Sequence, residues 1–201
     1  MGTESGADIA VNLDAVLSRV AEHRPHIEPP GEWHAATALV LAAEPDPKFI
    51  IIRRATRTGD MWSGHAALPG GRTDPTDQDV AATARRETFE EVGVEIGDPV
   101  GRLDDIGGRM LKGVVSTAVF VLDEAVPLTP DPAEVAAAHW VPLSLLSDRA
   151  ASVRYPVRLL GPWPAWEFRT GDLPPFDSLM IWGLTHRILT TFRELAVRAE
   201  D

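Results

Sequence analysis

Two apolar runs, TALVLAA (37–43) and KFIIIRR (48–54), are separated only by the turn-forming EPDP. Runs rich in β-branched and aliphatic residues and joined by so short a Pro/Asp turn predict two neighbouring strands with a hairpin-like connection, and their uninterrupted hydrophobicity implies a buried sheet. Whatever else the chain does, it has to cover that sheet.

The rest of the chain supplies the cover. Leu13, Val16, Leu17 and Val20 form one apolar stripe at helical spacing, and the RPHIEPPGEW that follows ends that helix and reads as a linker. A second helix is predicted from about residue 77 to Val92, with Asp77 as its cap and Gly93 in the left-handed position at its end. Further strands are expected at about 100–106, 114–122 and 136–141. Residues 150–175, rich in Pro, Trp and Arg without a clear period, read as a long loop or irregular subregion. A terminal helix is expected over 178–199, with Ile181, Leu184, Ile188, Leu189 and Phe192 apolar. This order predicts an α+β fold with helices packed on a mixed sheet. It divides into an N-terminal helix and linker (1–33) and a single domain (34–201).

Composition narrows the chemistry. With no cysteine, disulfides, a thiolate zinc site and a cysteine nucleophile are excluded, so any metal is held by oxygen or imidazole, and oxygen favours magnesium, manganese or calcium. A net charge of −11 argues against a nucleic acid polymer as partner, while small anions are admissible where metals and local arginines offset the field. No run approaches the roughly 20 apolar residues of a membrane span, and the first residues, MGTESGADIA, lack the pattern of a secretory signal. The expected location is cytoplasmic.

On the second helix Glu87 and Glu91 stand four residues apart and Glu90 three from Glu87, so all three carboxylates share one region of surface. Such a cluster is either a solvated face offset by Arg85 and Arg86 or a seat for a hard cation. The preceding Leu68-Pro69-Gly70-Gly71 favours the second reading, because its glycines permit a tight turn, close approach of backbone to a ligand and free N–H groups for phosphate oxygens.

Arg86-Glu87-Thr88-Phe89-Glu90-Glu91-Val92-Gly93-Val94 resembles the second half of the Nudix box, R-E-U-x-E-E-x-G-U with U aliphatic, at every charged and glycine position. In the first half, five residues separate Gly71 from Asp77 in place of the usual Glu, and eight rather than seven residues then precede Arg86. Thr88 stands at an aliphatic position. The extra residue is similar to the coenzyme A diphosphatase branch of the family, as are Ile50-Ile51-Ile52-Arg53-Arg54-Ala55, Gly64 and Leu68-Pro69-Gly70-Gly71; Asp60 stands where that branch has a second basic residue, and Leu68 where it has Phe. Together with Trp140-Val141-Pro142-Leu143, the resemblance covers roughly residues 35–146.

The resemblance implies a Nudix-type α/β/α sandwich and a Mg2+- or Mn2+-dependent hydrolase. Its substrate would be a small nucleoside diphosphate derivative, with coenzyme A or acyl-CoA cleaved to 3′,5′-ADP and (acyl-)4′-phosphopantetheine as the preferred case. ADP-ribose, a dinucleotide or a nucleotide sugar are alternatives, and a non-hydrolysing nucleotide-binding module is a rival of another class. Glu87 and Glu91 would be the principal metal ligands, Glu90 a further ligand or base assistant, and the Gly71 carbonyl another ligand. Arg86 would orient a helix carboxylate. Glu90 and Glu134 are both candidates for the general base. Arg53, Arg54 and Arg57, with Gly70 and Gly71, would meet substrate phosphates. His65, Trp62, Trp163 and Trp166 either face substrate or pack in the interior. The first and last helices are candidates for a homodimer interface.

Overall fold

A computed structural model describes residues 12–57, 63–107, 112–157, 161–169 and 178–197. The elements follow as α1 (Leu13–Glu22), β1 (His34–Ala42), β2 (Lys48–Arg54), β3 (Ala66–Ala67), β4 (Gly70–Arg72), α2 (Val80–Val92), β5 (Gly101–Arg102), β6 (Val114–Leu122) and β7 (Val135–Pro142). A 3-10 turn at Leu143–Leu146 leads to β8 (Ser152–Val157), β9 (Gly161–Arg169), β10 (Ser178–Trp182) and α3 (Gly183–Val197). Among the described residues, no helix is long and apolar enough to cross a membrane.

The first seven strands form one mixed sheet in which β1 is central, antiparallel to β2 and β4 and parallel to β6 from His34↔Val114 to Ala42↔Leu122. Strand β7 pairs antiparallel with β2. Alternation along the strands sends Leu39, Leu41, Phe49 and Ile51 to one face, where they meet Val16 and Val20 of α1 and Ile188, Leu189 and Phe192 of α3. Ala36, Ala38, Val40, Ile50 and Ile52 take the other face and meet Ala84 and Val92 of α2. The apolar runs are thus continuous because both faces are covered, and the result is the α/β/α layering expected.

The region 150–175 departs from its expected irregularity. Ser152–Val157 and Gly161–Arg169 are strands, and with Ser178–Trp182 they form a three-stranded antiparallel sheet in the order β10-β9-β8. The expected terminal helix therefore begins at Gly183, five residues later than the apolar spacing suggested, because Leu179 and Ile181 alternate into the core as strand residues. Prolines hid the strand. Pro162 lies opposite Pro156 and Pro164 opposite Arg154, while β10 reaches only Ala165 to Arg169 of β9. Two facing prolines cannot exchange ladder hydrogen bonds, so the missing N–H groups of Pro162 and Pro164 fall on the side of β9 that β10 leaves uncovered.

Two smaller differences concern element ends. Strand β5 is confined to Gly101–Arg102, with an isolated bridge from Ile106 to Val115 beyond it. Helix α2 starts at Val80, three residues past Asp77, and its cap is Asp79, whose carboxylate accepts the Ala82 N–H at 2.7 Å.

Candidate functional site

The site is built from the β4–α2 connection. Gly70 has φ +155°, and a Cβ there would collide with the Ala36 carbonyl of β1. Only a residue without a side chain lets β4 lie this close to the central strand. At Gly71 a Cβ would collide with the Glu87 carboxylate, which rests directly on the glycine backbone. Gly71→Ala is therefore expected to displace Glu87 and lower kcat by about 30-fold while the fold persists, since the obstruction is a side chain and not the sheet. Undiminished turnover would disconnect this contact from activity.

Glu91 is 2% exposed, and its Oε2 accepts the Gly70 N–H at 2.9 Å. Burial pushes its pKa up to about 8; the Gly70 bond opposes the shift, the Glu87 charge adds to it, Arg54 opposes it and Glu134 adds to it. Burial also raises Glu87, against the stabilising hydrogen bond from Arg86. Glu90 is more than half exposed. Glu87, Glu91, Arg54 and Glu134 are thus close enough to feel one another. Arg57 joins them through Glu134, its Nη2 donating to Oε1 at 3.2 Å and to the Ala133 carbonyl at 2.6 Å.

Arg86 holds the acids in place. Its Nη1 donates to Glu87 Oε1 at 2.8 Å and Glu90 Oε2 at 3.0 Å, and its Nη2 to the Arg72 carbonyl at 3.1 Å. Its Nε and Nη2 also form a fork to Asp77, at 3.1 and 2.9 Å. The Asp77 side chain is only 6% exposed and also accepts from Thr83 Oγ1 at 2.8 Å and the Asp74 N–H at 2.9 Å. The Arg86 bonds hold its carboxyl well below the ordinary range. Asp77 thus serves as the anchor of Arg86 and not as the helix cap. The turn before the helix absorbs the extra residue, and Thr88 fits an aliphatic position because its hydroxyl donates to the Ala84 carbonyl at 2.7 Å, leaving no unsatisfied group.

Not every sequence candidate comes together. Arg54 stands on the α2 side with Ile50 and Ile52, whereas alternation puts Arg53 on the opposite face with Phe49 and Ile51. Trp166 is buried and stacks on His186 with ring centroids 4.1 Å apart, so it is a core residue. His65 packs edge-on against Trp182 at 4.9 Å. Trp62 and Asp60 lie outside the described residues. Among the described residues, no three His, Asp or Glu side chains form a ready-made cage for a metal ion, and Glu87 and Glu90 share Arg86.

The chain matches the NUDIX domain family over residues 33–160. A protein of Schizosaccharomyces pombe is 33% identical over 178 residues, a match that covers 71% of this chain and 54% of that protein, so the chain spans about half its length. A Nudix hydrolase, NudL, of Photorhabdus laumondii is 35% identical over 161 residues, covering 78% of this chain and 81% of that one. In fold, a MutT/nudix family protein from Enterococcus faecalis superimposes over 98% of this chain and 76% of its own, at a TM-score of 0.50 and 16% identity. With the glycine turn, the acidic helix and its arginine on the same scaffold, the chain belongs to the Nudix hydrolase family.

Proposed function

We propose that the chain hydrolyses the diphosphate linkage of a small nucleoside diphosphate derivative with the help of Mg2+ or Mn2+, and that coenzyme A or an acyl-CoA is its preferred substrate. The observation that carries the reading is Glu91, a carboxyl buried at the foot of the Gly70-Gly71 turn with Glu87 beside it.

The donors fit a hard cation. They are all oxygen, and a buried acid whose proton is held to about 8 is a group that a nearby cation would ionise. Glu87, Glu91 and the Gly71 carbonyl would hold the metal, with Glu90 as a further ligand once it leaves Arg86. So few protein ligands suit magnesium, which keeps several waters and takes substrate phosphate oxygens. When bound, such an ion lowers the pKa of a water and offsets charge on the diphosphate.

The protein's own groups supply the rest. Arg86 fixes the carboxylates, and Arg54 and Arg57 bring guanidinium forks to the phosphates. Glu90, exposed at the helix surface, and Glu134, held by Arg57, are the two candidates for the general base. Support for the coenzyme A preference comes from the β2–β3 connection. Gly64 N–H donates to the Arg54 carbonyl and Arg54 N–H to the His65 carbonyl, both at 3.1 Å, so the residues that resemble that branch form one hairpin beside the glycine turn.

The test is a Mg2+- and Mn2+-dependent assay over coenzyme A, ADP-ribose, dinucleoside polyphosphates, NADH and nucleotide sugars. Coenzyme A is expected to give the highest kcat/KM by about tenfold, yielding two phosphomonoesters. A better substrate elsewhere in the panel would reassign the specificity. Turnover of none would favour a binding module.

A further inference from the structure

A cavity of ≈ 290 Å³ opens where β9 meets the start of α3, lined by Pro162, Trp163, Pro164, Gly183, His186 and Arg187. It lies with the second sheet and α3 on the α1/α3 side of the main sheet, whereas α2 and its glutamates lie on the other side. It is therefore apart from the glutamates, although His65 of the β2–β3 hairpin packs on Trp182 behind it.

The lining selects a narrow class of ligand. The Trp163 indole is 37% exposed, and its ring is held edge-on against Trp182 at 6.5 Å. Trp182 is in turn packed on Tyr155 at 5.1 Å and on His65, so an aromatic cluster backs the exposed ring. His186 is fixed by its stack on Trp166. Arg187 is exposed, and among the described residues no acidic side chain lines the cavity. Among the described lining residues the permanently charged side chain is Arg187, and a guanidinium there favours an anion locally. Pro162 and Pro164 offer no N–H, so a peptide strand could not add at this edge. What fits is a planar ring for the indole joined to a phosphate for the guanidinium.

We propose that this cavity is a second nucleotide site, which takes a nucleoside monophosphate with its base against Trp163 and its phosphate toward Arg187. The site does not depend on the metal or on the hydrolytic reading.

AMP is the probe, titrated calorimetrically into the full chain with EDTA present, so that no divalent ion can hold phosphate at the glutamates. The expected result is one-to-one binding with a sub-millimolar Kd. Trp163→Ala and Arg187→Gln should each weaken it about tenfold, and adenosine should bind about tenfold more weakly than AMP. Glu91→Gln should bind AMP as the parent does. The proposal is overturned by no heat at up to about 5 mM AMP, by equal affinity in both cavity variants, or by loss of binding in Glu91→Gln, which would move AMP to the catalytic face. Dissociation of a dimer by Trp163→Ala, with no AMP binding in the parent, would instead assign the surface to a second copy.

Discussion

Glu91→Gln is expected to lower metal-dependent hydrolysis by on the order of 10³-fold, because the amide keeps the volume and the Gly70 contact but cannot become the anion that a cation needs. The same substitution has an opposite effect on the metal-free fold. In the unfolded chain this acid ionises near its ordinary 4.5, whereas in the folded protein burial holds the proton to about 8. Between those values the folded state carries a proton that the unfolded chain has lost. Glu91 therefore lowers stability progressively as pH rises through that window, and its contribution is level above it. Glutamine has no such slope. With EDTA present, melting curves should show the variant and parent nearly equal at pH 5 and the variant more stable at pH 8, by about 5 °C or more. A pH-independent difference would mean that Glu91 is ionised throughout, and residual turnover within tenfold of the parent would remove it from the metal set.

Arg86→Met should give the largest combined loss. It leaves Asp77, 6% exposed, without its fork, and it releases Glu87 and Glu90 together. Because Arg86 itself is partly solvated, the stability cost is expected at about 2–4 kcal/mol, below that of breaking a fully buried pair. Activity should fall about 100-fold or more. Asp77→Asn in the same chain should restore part of the stability by removing the stranded charge, yet none of the activity, since the carboxylates are still unanchored. Strictly additive stability losses in the double variant would show the two residues to be uncoupled. Arg86→Lys should also fail, as one ammonium cannot span Asp77, Glu87, Glu90 and the Arg72 carbonyl.

How far the sequence could be read depended on whether a residue's role is set by its neighbours in the chain. Strands β2 and β6 were legible to the residue, because apolar runs bounded by turns carry their own boundaries. The helix with its three glutamates was legible too. Asp77 was read as a cap because an acid just before a helix usually is one; its actual bonds to Arg86, nine residues on, depend on how the turn folds back. Sequence spacing put Glu87, Glu90 and Glu91 on one region of the helix. It could not say that the sheet buries Glu91 and leaves Glu90 in solvent, since that depends on which side of the helix meets β1 and β4. The adjacent Arg53 and Arg54 looked equivalent, but a strand sends neighbours to opposite faces. Strand β9 was missed because its prolines are tolerated only by a pairing geometry visible in three dimensions. The Arg57–Glu134 pair joins two connections far apart in the chain, so no local spacing announces it.

The parallel ladder between β1 and β6 also governs when the site can come into being. Its partners, such as Leu39 and Val119, are distant in the chain, and α2 lies inside the loop their pairing closes. Local turns and the acidic helix can flicker into existence early, but the sheet that buries Glu91 must wait for that long closure, a slow class of event in folding. Synthesis has to pass β6 before the central ladder can be completed. A nascent or clipped chain ending short of residue 114 would carry the whole acidic motif without the partner strand that completes its platform, so the ability to hold a cation tightly should arise with tertiary closure and not with the motif.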